Sequence, residues 1–169
     1  MSLNQLTVAQ LKTEEGQLLM LEELINLTIC LCESSRDLIA IQKRAPAFMS
    51  VFPAKEIIAI NGVDREVSGL INELKKMKQL IEDKTFDFSK ESQYQKRLGE
   101  IQARNKEIST LIESMGAKIP KPKGACFLVW IIFPYTLLEC FIKKCLYRIE
   151  IKRLEKMKER IEVEEQGED

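Results

Sequence analysis

Cys140 and Cys145 flank the pair Lys143–Lys144 at the edge of the most apolar stretch of the chain. Thiols beside cations next to an apolar run are the setting for S-palmitoylation, in which a fatty chain joined to sulfur strengthens membrane attachment. The plainer reading makes both cysteines small packing residues. Five cysteines are present in all, an odd number with no disulfide-scaffold spacing, which suits free thiols in a reducing compartment. Cys30 and Cys32 are one residue apart and point to different faces of a helix. A zinc centre joining them to Cys140 and Cys145 would need two distant segments to converge, and no metal site is expected.

Other chemistry is excluded by residue type. The chain has no histidine, which removes the usual hydrolase triads, His-ligated metals and imidazole acid–base catalysis. No Gly-rich phosphate loop, nucleophile elbow or paired-carboxylate constellation is present. The sequence therefore predicts no enzyme, no catalytic residue, no cofactor and no small-molecule substrate. Asn26-Leu-Thr28 fits a glycosylation sequon but lies in a patterned helix and reads as chance.

Lys plus Arg balances Asp plus Glu, yet the charge is unevenly placed. Residues 117–160 carry eleven Lys and Arg against four Glu, a net of +7, and residues 161–169 carry five acids and no base. A basic block beside an apolar one suits a membrane surface, where each Lys or Arg gains about 1 kcal/mol from anionic headgroups. A solvated helix face accounts for the same pattern. Nucleic acid is not an expected partner, because the basic helix is interleaved with Glu and offers only Tyr147 as an aromatic.

The elements that position these groups are helices. Glycine and proline are scarce, seven and five residues, and apolar residues recur at helical spacing. Residues 3–43 read as one helix with a seam of Met20, Leu24, Leu27, Leu31, Leu38 and Ile41, interrupted at Ser34 and widened by Leu18, Leu21, Ile25 and Cys32. Pro46 and Pro53 break it. A short helix over 53–60, a turn at Asn61-Gly62 and a second helix over 63–83 follow. Val67, Leu70, Leu74, Met77 and Ile81 give that second helix an a/d seam. Ser89 is the expected N-cap of the next helix, seamed by Tyr94, Leu98, Ile101, Asn105, Ile108, Ile112 and Met115, with Gly116 as its C′ residue. Asn105 on the seam is the type of polar residue that fixes register at a cost in stability.

Residues 125–142 are apolar without a break until Glu139 and are bracketed by lysines. Three readings compete: a single membrane span, a re-entrant segment hinged at Pro134, and a central helix buried in a soluble bundle. The lysine bracket and the Pro-rich linker 117–124 favour the membrane. Topology stays open, because the Lys/Arg bias puts the tail in the cytoplasm while the free cysteines favour the same side for the N-terminal part. No basic n-region followed by an apolar h-region opens the chain, so a secreted location is not expected.

The expectation is an all-α chain: a helical coiled-coil bundle over 1–116 built on an antiparallel hairpin, linker 117–124, an apolar membrane-associated segment 125–142, and a charged helical tail 143–169. Function is expected to be that of an intracellular membrane-anchored adaptor or tether. A helical protein partner, or a second copy, would meet it along Val67, Leu70, Leu74, Met77, Ile81, Leu98, Ile101, Asn105, Ile108 and Ile112. Phe48, Met49 and Phe52 form a candidate docking loop. The alternative is a soluble subunit of a larger complex with 125–142 buried in its core.

Overall fold

The structure, a computed structural model, describes residue 10 and residues 13–44, 51–118 and 127–166, without the side chains of 127–137, 140, 141, 161, 162 and 164–166. Among the described residues the chain is helical with no strand. The long helices are α1 (Glu14–Lys43), α2 (Ala54–Glu82), α3 (Glu91–Lys118) and α4 (Phe127–Gln166), and a 3-10 turn over Phe88–Lys90 precedes α3.

Helix α1 starts where Thr13, in extended conformation, accepts a hydrogen bond from the Gly16 amide. That satisfies one of the orphan N–H groups of the first turn, and Glu14 and Glu15 complement the positive end of the helix dipole. Its apolar face is too wide for a two-helix seam. Met20, Leu24, Leu31 and Leu38 of the expected line are buried together with Leu21, Ile25, Ile29, Cys32 and Ile39. The reason is tertiary, since α2, α3 and α4 are all packed around α1.

Helix α2 corrects the sequence reading. It runs through Asn61-Gly62 without a turn. Ile60 and Val67 are buried on the same side of it, at 4% and 0% exposure. Their burial outweighs the roughly 1 kcal/mol that a mid-helix glycine costs. Ile71 is buried, whereas Leu70 and Ile81 of the expected seam are only partly so. Packing chiefly against α1 turns the buried face off the strict a/d line.

The α2–α3 connection is a Schellman closure: Thr85 N–H donates to the Leu80 carbonyl at 3.0 Å and Lys84 N–H to Ile81 at 3.1 Å. Lys84 holds the left-handed position, φ 54°. Phe86 then packs on Tyr94 and, edge-on, on Phe88. Asp87 caps the 3-10 turn, accepting from the Ser89 amide and hydroxyl, and Ser89 lies inside that turn instead of capping α3. Gly116 is likewise not a C′ residue, because α3 continues to Lys118.

Cross-helix pairs set the directions. Lys43–Asp64 and Lys75–Glu33 make α1 and α2 antiparallel, while Glu73–Arg97 and Glu66–Arg104 do the same for α2 and α3. Lys144–Glu113 and Lys158–Gln95 run α4 antiparallel to α3. The result is an up-down-up-down bundle in which α1 and α3 are parallel.

Helix α4 has 40 residues against 30 in α1, about 15 Å longer at 1.5 Å per residue. The expected boundary between an apolar segment and a charged tail is not a break: one helix carries both and passes through Pro134. A hinged re-entrant segment is therefore not what this backbone adopts. On the charged second half of α4, Ile151 and Leu154 are buried and Tyr147 is partly so.

Candidate functional site

The expected partner seam lies inside the chain's own bundle. Val67, Leu74, Met77, Leu98, Ile101, Asn105, Ile108 and Ile112 are all buried, and Leu70 and Ile81 are packed against them. The seams close within one chain, and along α3 each seam residue is where the spacing put it. A partner could meet these residues only if the bundle opened.

Two arginine clamps, not anticipated from the sequence, hold α2 to α3. Arg97 grips Glu73 through Nε (2.6 Å) and Nη2 (2.9 Å) and reaches Glu100 at 2.8 Å. Seven residues on, Arg104 repeats the arrangement with Glu66 (2.6 and 3.0 Å) and Glu107 (2.7 Å). Hydrogen bonds from Arg104 and Arg97 hold the Glu66 and Glu73 carboxyls below their ordinary value, and burial opposes this only in part. A readable signal existed. Glu66, Glu73, Arg97 and Arg104 each precede a seam residue by one and repeat every seven, the flanking positions that set partner orientation in coiled coils.

A polar ladder crosses the parallel α1–α3 interface, and its α1 residues keep the same heptad interval. Gln102 Nε2 donates to Thr28 Oγ1 at 3.1 Å, Ser35 and Ser109 share a hydrogen bond at 3.1 Å, and Gln42 Nε2 donates to the Ile112 carbonyl at 2.8 Å. Gly116 leaves room for this last rung: a Cβ there would sit 2.5 Å from Gln42 Nε2. Thr28 also donates to the Leu24 carbonyl and is fully buried. Between the rungs stands Asn105, 0% exposed, with neither amide atom hydrogen-bonded among the described residues.

The apolar stretch and its basic border meet on α4. Lys144, one of the lysines that bracket the apolar stretch, is buried: its side chain is 2% exposed and its ammonium bonds Glu113 at 2.8 Å. It shares the inward face with Ile151 and Leu154, seven and ten residues on. The opposite face is open. Leu138, Ile142, Leu146 and Ile149, at steps of four, four and three, are 49–60% exposed and form one strip. Further steps of four, three and four bring exposed Arg153, Lys156 and Arg160 onto the same strip.

Of the thiols, Cys32 is buried and desolvation pushes it up to about 12, with Glu33 adding to the effect, so it is inert at neutral pH. Cys30 is half-buried beside Tyr147, whose phenol is raised first by burial and then by Cys30. Cys145 is free and half-buried at the margin of the exposed strip; the Cys140 side chain lies outside the described residues. No group of three or more His, Cys, Asp or Glu that could hold a metal is found among the described residues. Phe52 is buried at 3% exposure and is not a docking residue, because it caps the core rather than facing outward. Phe48 and Met49 lie outside the described residues. Among the described residues no helix is long and apolar enough to cross a membrane. No protein family matches this chain, and no curated protein or solved structure is significantly similar to it.

Proposed function

We propose that this chain is a non-enzymatic, intracellular helical adaptor that associates with a membrane through the apolar first half of α4 and offers its bundle to a helical protein partner. The observation that carries the reading is the open strip Leu138–Ile142–Leu146–Ile149, which continues the apolar run of 127–142 on the side of α4 turned away from the bundle. Large apolar residues gathered on one exposed face mark an interaction surface. Attachment would act by raising the local concentration of the bundle at the membrane, so that a weak helix–helix contact suffices. Cys145, at the margin of the strip, is the candidate for acylation there.

Fractionation of tagged full-length protein at physiological pH and salt tests this. Sedimentation with membranes, lost when 127–142 is replaced by a polar helix, supports the reading. Recovery wholly in the soluble fraction opposes it. The second reading, a subunit whose α4 strip is covered by another protein, draws on the want of a membrane-crossing helix among the described residues. It predicts co-purification at a fixed stoichiometry from the soluble fraction.

A further inference from the structure

Membrane association alone leaves open how α4 meets lipid, and its outer face has a graded composition that bears on this. Over its first part the strip is apolar: Leu138, Ile142, Leu146 and Ile149. Over the next part it is cationic: Arg153, Lys156 and Arg160, all exposed. The inward face of the same turns is committed to the bundle through Lys144, Ile151 and Leu154. A helix pinned along one side cannot be surrounded by lipid there, but its free side can lie on a surface.

Resting on the membrane reading above, we infer that α4 seats along an anionic bilayer in the plane of its interface. The four apolar side chains enter the acyl boundary and the three cations bind phospholipid headgroups. Charge argues for lipid over a second copy. A parallel pairing of two α4 strips would set Arg153, Lys156 and Arg160 against their like, and an antiparallel pairing centred on the apolar part would set them against the apolar start of the other helix. An anionic headgroup layer above an apolar interior complements both parts of the strip at once. Glu139 and Glu150, at the border, are each engaged by a neighbouring cation, Lys143 at 2.6 Å and Arg153 at 3.7 Å. Glu139 thus presents little uncompensated charge to the headgroups, and Glu150 offsets part of the attraction of Arg153.

The test is flotation of full-length protein with phosphatidylcholine vesicles, with and without about 30 mol% phosphatidylserine, at low and high salt. Partitioning should be stronger on the anionic vesicles and should weaken as salt screens the cations. The variant R153Q/K156Q/R160Q alters only exposed side chains, so its circular dichroism and melting should match the parent. Its partitioning to anionic vesicles should fall about 100-fold, with neutral vesicles unaffected. L146Q/I149Q should lower binding to both vesicle types. Equal binding of the triple variant and the parent on anionic vesicles, with retention that depends on 127–142 alone, overturns the in-plane seat and leaves membrane association standing. Absence of flotation on every composition overturns both.

Discussion

Replacing Asn105 by leucine should stabilise the protein. The side chain is fully buried on the α3 seam and neither amide atom has a hydrogen-bond partner among the described residues. An unpartnered buried polar group costs about 1–3 kcal/mol. Leucine is of similar size, and its different branching offsets part of the gain, by less than about 1.5 kcal/mol. The net expectation is about 1–2 kcal/mol of added stability, a rise in Tm of roughly 3–6 °C for a chain of this length. Urea unfolding followed at 222 nm reads the change, and an unchanged m-value shows that the same surface is exposed. Alanine at 105 separates the two contributions, because it removes the amide but leaves a hole and should come out near neutral. A buried seam asparagine also narrows the arrangements a helix can adopt, so light scattering on the leucine variant should show added oligomeric species. A leucine variant less stable than the parent by about 1 kcal/mol or more, at constant m, would refute the reasoning: Asn105 would then have to be satisfied and stabilising in solution.

Three further outcomes can be checked the same way. Lys84→Gly should raise stability by about 1 kcal/mol, since a non-glycine residue in the left-handed position strains the Schellman turn; no gain would mean that the turn relaxes in solution. Gly62→Ala and Gly116→Ala should differ in sign. A Cβ at Gly62 meets nothing within 4 Å, and alanine there gains up to about 1 kcal/mol. At Gly116 alanine displaces Gln42 from the Ile112 carbonyl and should lose about 1 kcal/mol or more; equal effects in denaturation would discredit the ladder. The arginine clamps give a pH signature. Glu66 and Glu73 have lowered folded pKa values, so their contribution is complete above the ordinary carboxylate value of 4.5 and is lost as pH falls through the lowered folded value. Both carboxylates are about a third exposed, so solvent screening keeps each clamp weak. E66Q/E73Q should be less stable than the parent near pH 7, with the gap closing as pH falls below 4.5 through the lowered folded values, and a gap unchanged in acid would argue against the clamps.

The sequence alone determined the helical class and the α3 seam, because a period near 3.6 in apolar residues is a local property that any helix must show. Leu98, Ile101, Ile108 and Ile112 are buried where spacing placed them, and Asn105 falls on the seam as expected. The apolar stretch and its basic border were also legible as composition. Where the reading failed, neighbours decided. Asn61-Gly62 is a local turn signal, overridden because Ile60 and Val67 bury on one continuous face. Ile71 replaced Leu70 in the core because α2 packs chiefly on α1, and Gly116 answers to a glutamine more than seventy positions away, Gln42. Lys143 and Lys144 are identical in type and adjacent, yet one is largely exposed and the other is enclosed with Glu113. Which face of a helix turns inward is a property of the assembled bundle. For that reason tertiary structure, and not the pattern along the chain, left the α4 strip outside and the apolar seam of α2 and α3 within.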